Sequence, residues 1–289
     1  MTNTTYVAEQ VGGAPLVCDG INGGEVRNTA TPPIEGESLG LTPQRGPITS
    51  VVFTFAMAEE AQQLIEELQL QPYQSTRNPG LHQQYRGTIG AVDVIVSINQ
   101  VSLKYGVSGV GTTNAAINAL CAIEEFKPSL LINAGTAGGF GNSGGAVGDI
   151  YLTKETVMYH DRRIPFGAFE PYGNGGHSCL QVHHLPTLLS AKTGVFSTGN
   201  SLDCHDADMS RITAAHATVK DMEAAAFAEV AERYNIPFIG IKSITDLVDG
   251  HHATAEQFQA NFGIATGKLR SALTRLITFL SEGRGLEEL

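Results

Sequence analysis

Three acidic residues occupy positions where a carboxylate is costly. Glu60 follows the apolar stretch Val51-Val52-Phe53-Thr54-Phe55-Ala56-Met57. Glu223 opens the run Met222-Glu223-Ala224-Ala225-Ala226, and Asp246 ends Phe238-Ile239-Gly240-Ile241-Lys242-Ser243-Ile244-Thr245. An acid at the margin of a buried segment must be paired, neutralised or put to use. In use, such groups donate or accept protons, or accept hydrogen bonds from a ligand. Bland roles exist for each: Glu60 and Glu223 at the positive ends of helix dipoles, Asp221 as a helix cap, and Asp246 capping the following loop. Three inward acids together would repel one another, which favours a shared task.

The elements that must position them follow from hydrophobic period. Residues 51–57 are short, apolar and β-rich, as in a central strand. Residues 58–70 are helical in period, with Ala61, Leu64, Ile65 and Leu68 at i, i+3, i+4 and i+7. At about 100° per residue, Glu60 turns inward and Glu59 outward. Further strands are expected over residues 85–89, 91–98, 129–133, 147–153, 156–160, 193–198 and 238–244. Helices are expected over 113–126, 222–234 and 254–280. The last has Thr254-Ala255-Glu256-Gln257 as a capping box and Ala265, Leu269, Ala272, Leu273, Leu276, Ile277 and Leu280 as its buried face. Residues 160–177 read as a loop carrying Phe166, Phe169 and Tyr172. Residues 180–189 give no clear period.

Alternating strands and helices imply an α/β domain with a parallel or mixed sheet, whose ligands bind at the carboxyl ends of strands. Five places with unusual residues fall at such ends or at a helix start: 57–60, 135–139, 198–203, 222–223 and 243–246. Gly135-Thr136-Ala137-Gly138-Gly139 alone fits a turn as well as a site. Gly109-Val110-Gly111 lacks the third glycine of a dinucleotide loop.

Composition narrows the function classes. The chain has 289 residues, 42% hydrophobic and 16% charged, which is enough for one sizeable core. Its formal charge of −11 argues against electrostatic nucleic-acid binding. No apolar run is long enough to span a bilayer, so no membrane partner is expected. Met1 to Glu9 lack the basic start and apolar core of a secretory signal. Cys18, Cys121, Cys179 and Cys204 are scattered, without metal or disulfide spacing, as expected of a reduced, cytoplasmic chain. Adjacent histidines (His183-His184 and His251-His252) cannot share one face, which argues against zinc. Residues 1–47, rich in Gly, Pro, Thr and Asn without period, are expected to be a poorly ordered leader before a single domain over 48–289.

Six segments occur together and in order: Ala56-Met57-Ala58-Glu59-Glu60, Asn133-Ala134-Gly135-Thr136-Ala137-Gly138-Gly139, Val147-Gly148-Asp149-Ile150, Ser197-Thr198-Gly199-Asn200-Ser201, Asp221-Met222-Glu223-Ala224-Ala225-Ala226 and Ser243-Ile244-Thr245-Asp246-Leu247-Val248-Asp249-Gly250. In this combination the chain resembles the 5′-methylthioadenosine/S-adenosylhomocysteine nucleosidases of the purine nucleoside phosphorylase superfamily, over about residues 48–280. His160-Asp161-Arg162-Arg163-Ile164-Pro165 and the 246–250 segment are most similar to the plant-type branch.

The resemblance implies a three-layer αβα sandwich with a central mixed, largely parallel sheet. It implies hydrolysis of the N-glycosidic bond of 5′-methylthioadenosine, and of S-adenosylhomocysteine if the larger tail is accepted, to adenine and a 5-thioribose in methionine salvage. Asp246 is implied as the acid at N7, with Thr245 and Lys242 beside it. Glu60 is implied as the base for water, and Glu223 as acceptor for the ribose hydroxyls with Met222 packed on the sugar. Thr136, Ala137 and Gly138 are implied to line the pocket, and Leu202 and Asp203 to flank the base. Phe169, with Phe166 and Tyr172, is a candidate for the 5′-alkylthio end. A homodimer and no cofactor or metal are also implied. Two departures stand out. Asn200 replaces an Asp common in relatives, and an amide cannot take up the same charge role in the partner network of Asp246; Leu202 replaces an aromatic of bacterial members. The alternatives are a phosphorylase of the same superfamily and a non-catalytic nucleoside-binding or storage protein. Phosphorolysis needs cationic anchors. Where phosphorylases carry an arginine-bearing loop, this chain has Met57-Ala58-Glu59-Glu60.

Overall fold

The computed structural model describes residues 46–250 and 253–289. The leader expected over residues 1–47 lies outside them apart from Gly46 and Pro47, as do His251 and His252. Pro47 forms a bridge with Gly285, and Ile48 is buried.

In chain order the elements are β1 (Ser50–Phe55), α1 (Ala58–Glu67), β2 (Gln71–Tyr73), β3 (Gln83–Ile89), β4 (Val92–Ile98), α2 (Thr112–Phe126), β5 (Leu130–Gly139), β6 (Ile150–Tyr159), α3 (Phe169–Asn174), β7 (His177–Ser178), α4 (Leu185–Leu189), β8 (Lys192–Thr198), α5 (Asp206–Ala214), β9 (Ala217–Asp221), α6 (Ala224–Arg233), β10 (Phe238–Leu247) and α7 (Thr254–Leu280). They build one mixed sheet in the order β10-β6-β8-β9-β5-β1-β4-β3-β2, with β7 added to β6. β5 also pairs with β10, in parallel. The five strands β10, β6, β8, β9 and β5 therefore close on themselves, while β1, β4, β3 and β2 extend as an open wing. Ligand-facing ends crowd where β5 serves β1, β9 and β10 at once.

Period-two alternation sorts the strand residues into two apolar layers. Val51, Phe53 and Phe55 of β1, with Leu130 and Ile132 of β5, join one core under α1, α4 and α7. Val52 and Leu131, one residue out of phase, join the other under α2 and α6. All seven residues expected on the buried face of α7 are buried. The αβα layering thus follows from amphipathic helices covering both faces of apolar strands.

Several local expectations change. The glycine segment 135–139 is not a turn, because β5 runs straight through it, paired with β10. The strands expected at 147–153 and 156–160 are one strand, β6. Its ladder to β8 shifts register between Thr153 and Val157, and Glu155 there takes a left-handed φ of 61°. β9 and α5 had no distinct period, and α3 and α4 are short helices inside segments read as loop or left unassigned. α7 is not capped by Thr254: its N-cap is Ala253, without a side-chain cap, and Gln257 instead accepts a hydrogen bond from the backbone N–H of Leu247 at 3.3 Å.

Candidate active site

A cavity of about 270 Å³ opens at the carboxyl ends of β1, β5, β9 and β10. Its wall is mostly apolar (Met57, Val110, Leu202, Met222, Val248 and Phe258), and its polar groups are few and convergent. A flat aromatic ligand with a handful of polar atoms suits such a wall.

Glu60 enters from the first turn of α1. Its Oε1 accepts hydrogen bonds from the backbone N–H and the hydroxyl of Thr136, both at 2.7 Å. Oε2 accepts a longer one, 3.3 Å, from the N–H of Met57. The carboxylate lies against Gly135, where a Cβ would come within 3.1 Å of Oε1. Burial pushes its pKa up; Lys242 and the Thr136 donors pull it part of the way back.

Asp246 stands at the far side. A Cβ on Gly138 would fall 2.9 Å from its Oδ2 and 2.7 Å from Val248 Cγ2. At Gly138 a side chain would therefore collide with Asp246 and Val248, and at Gly135 it would crowd Glu60, so close approach to two acids explains the glycines without any turn. Oδ1 of Asp246 accepts the Thr245 hydroxyl at 2.7 Å, whereas Oδ2 is buried without a partner. An ionised oxygen left so would be costly; a protonated one offers a donor to the cavity. Burial accordingly holds the Asp246 carboxyl above its ordinary range, against the opposing hydrogen bond of Thr245 and the charge of Lys220. Gly135 and Gly138 are three residues apart on β5, roughly 10 Å along the strand.

Glu223 is the N-cap residue of α6. Its Oε1 accepts the N–H of Gly111 at 2.9 Å. Beneath it lies Lys242, fully buried, with Nζ 3.1 Å from Asp221 Oδ2 and 3.8 Å from Glu223 Oε2. Asp221 also accepts the Thr198 hydroxyl and the N–H of Ala224, so it caps α6 while neutralising the lysine. One cation serves three buried acids, Asp221, Glu223 and Glu60. Full ionisation leaves two charges uncompensated, which raises the proton affinity of the cluster. Burial, with the charges of Asp221 and Glu60, raises Glu223 to about 7 despite Lys242 and the Gly111 N–H. Burial would lower Lys242, but the three carboxylates outweigh it and hold the ammonium above its ordinary range.

The structure gathers Glu60, Glu223, Asp246, Met222, Thr136, Ala137, Gly138, Leu202 and Thr245 around this one cavity. Four expected residues are elsewhere. Lys242 is not beside Asp246, because Asp221 and Glu223 hold its ammonium; the cation acting on Asp246 is Lys220. Asn200 does not touch Asp246, since its side chain is spent on Thr112 and Asp161. Asp203 is exposed in the loop before α5. Phe169 is exposed on α3, stacked on Phe166 with ring centroids 6.3 Å apart.

Sequence reasoning missed Lys220, whose Nζ donates to the carbonyls of Ser201 and Leu202 at 2.7 and 3.0 Å and so fixes the loop along the cavity wall. Without β9 recognised, nothing distinguished it from a surface lysine. Phe258 was also missed, although it lies seven residues before Ala265, on the same stripe of α7 continued to the cavity.

The model of the phosphorylase superfamily matches residues 50–278. The 5′-methylthioadenosine/S-adenosylhomocysteine nucleosidase of Arabidopsis thaliana is 39% identical over 248 residues, covering 85% of this chain and 97% of its own. The 5′-methylthioadenosine nucleosidase of the same plant is 38% identical over 254 residues, covering 84% and 91%. The solved apo structure of an Arabidopsis thaliana 5′-methylthioadenosine nucleosidase superposes with a TM-score of 0.81 at 39% identity, over 84% of this chain and all of that one.

Proposed function

Since the chain belongs to the phosphorylase superfamily and, within it, to the 5′-methylthioadenosine/S-adenosylhomocysteine nucleosidases, we propose that its cavity binds a 5′-thio-substituted adenosine and that Asp246, Glu60 and Glu223 hydrolyse the N-glycosidic bond. The C1′–N9 bond breaks with its electron pair moving into the base. Adenine is a poor leaving group as an anion, and Asp246 gives N7 the proton that lets it depart neutral. Positive charge grows on the ribose, where Glu223 accepts the hydroxyl hydrogen bonds and supplies negative charge. Water bonds to C1′ and its proton passes to Glu60. The sum is one water consumed, with adenine and the 5-thioribose released, and solvent returns the proton from Glu60 to Asp246.

The observation that carries water over phosphate is the Glu60 end of the cavity. A carboxylate occupies it with one oxygen saturated by Thr136 and the other only weakly engaged. Among the described residues, the cation lining the cavity is Lys220, which is committed to two carbonyls, as Lys242 is to two acids. A phosphate dianion would face repulsion without an anchor. Incubation with 5′-methylthioadenosine in phosphate-free buffer therefore releases adenine at the full rate, and added phosphate gives no acceleration. A strict phosphate requirement would sink this reading. The same assay with S-adenosylhomocysteine reports whether the larger 5′ substituent is accepted.

The protein works as a homodimer in this reading. The turn after β4 exposes Leu103 (94%), Tyr105 (69%) and Val107 (59%) beside the cavity residue Val110, and α2 exposes Ile117 and Leu120. Apolar side chains clustered in this way mark a surface that associates. Light scattering at micromolar concentration gives twice the chain mass of 30.6 kDa; a monomer there excludes it.

A further inference from the structure

Asn200 sits outside the cavity, yet four hydrogen bonds hold it. Its Oδ1 accepts from the backbone N–H of Thr112 at 3.0 Å and from the Thr112 hydroxyl at 2.8 Å. Its own backbone N–H and its Nδ2 both donate to Oδ2 of Asp161, at 2.7 and 3.0 Å. Two donors face one side of the amide and a carboxylate faces the other, so the partners dictate its orientation. Thr112 is the first residue of α2. The residue before it, Gly111, has φ of 95° and donates its N–H to Glu223 at 2.9 Å. A Cβ on Gly111 would lie 3.0 Å from Asn200 Oδ1, so amide and glycine are in close contact. Asp161, Asn200, Thr112, Gly111 and Glu223 thus form one continuous chain of contacts from the surface to the cavity.

We propose that Asn200 is a positioning residue for Glu223: its amide clamps the corner at the start of α2 between Thr112 and Asp161 and so keeps the Gly111 N–H on the carboxylate that receives the ribose. The inference rests on the reading of Glu223 as the ribose acid. It explains why an amide, rather than an acid, suits position 200 in this chain. A carboxylate there would still accept from Thr112, but would set an oxygen where Nδ2 now donates to Asp161, placing like charges in contact.

The test uses Asn200→Asp, Asn200→Ala, Thr112→Val, the pair Asn200→Ala with Thr112→Val, and Glu223→Gln as reference. Each is assayed for kcat and KM with 5′-methylthioadenosine and for affinity towards adenine alone. Asn200→Asp is expected to raise KM about tenfold, the scale of one hydrogen bond to an ion, while adenine affinity stays within about twofold. Asn200→Ala removes the acceptor of the Thr112 hydroxyl, so adding Thr112→Val to it changes KM by no more than about twofold further. Fully additive losses in the Asn200→Ala/Thr112→Val pair overturn the clamp, as does equal weakening of nucleoside and base. If Glu223→Gln weakens the nucleoside and Asn200→Asp does not, the clamp alone is wrong. If Glu223→Gln leaves KM unchanged, the ribose reading fails and the clamp with it.

Discussion

Asp246→Asn lowers adenine release from 5′-methylthioadenosine by about 10³-fold, within the range for loss of a general acid, while binding persists. The expectation comes from the two oxygens of one side chain. Oδ1 is satisfied by Thr245; Oδ2 is buried, unpartnered and lies over Gly138 beside the cavity. An amide keeps the shape and can offer N7 a hydrogen bond, so the nucleoside still binds. It has no proton to give, so the base must leave as an anion. A riboside whose leaving group departs as a stable anion, such as p-nitrophenolate, bypasses that need and should lose far less in the same variant. Equal losses on both substrates would point to a folding defect, and near-normal adenine release would remove Asp246 as the acid.

Glu60→Gln is expected to cost about 10²- to 10⁴-fold in kcat with little change in KM. The glutamine carbonyl can still accept from Thr136, so the wall keeps its form. Lost is the base that takes the proton of water. The pH profile provides a second check. Burial raises the Glu60 pKa, opposed by Lys242 and the Thr136 donors. The groups facing it are therefore Lys242 from β10, Thr136 from β5, and Glu223 through the shared lysine. A base acts only when ionised, so activity falls as pH drops through this raised value. The acid limb lies above the ordinary carboxylate range and changes in the residual activity of Glu60→Gln, where the limb left is that of Glu223, raised to about 7. A KM rise matching the kcat loss, or an unchanged acid limb, would assign Glu60 to substrate binding instead.

These effects rest on an arrangement that local sequence reveals only in part. Hydrophobic period shows where β1, β10 and α7 run, because alternation and a 3.6-residue stripe are properties of the chain itself. It also marks Glu60, Glu223 and Asp246 as acids at apolar margins. By contrast, β9 is five residues long and α5 carries two acids in its first turn, so neither has a period to read. Asp221 reads as a cap from its position alone. It is one, but the buried lysine it neutralises lies 21 residues further on, in another strand.

The amino-acid sequence by itself determined the layers and the chemistry available: apolar strands between amphipathic helices, and three carboxyl groups at their ends. Tertiary structure decided which acid meets which partner. The β5–β10 register sets Asp246 against Gly138, and the fold brings Thr136 to Glu60 and Gly111 to Glu223 across 76 and 112 residues. It also took Lys242 away from Asp246 and Asn200 out of the cavity. The physical reason is that burial, pairing and proton affinity depend on neighbours in space, and those are fixed by strand register and sheet closure rather than by order along the chain.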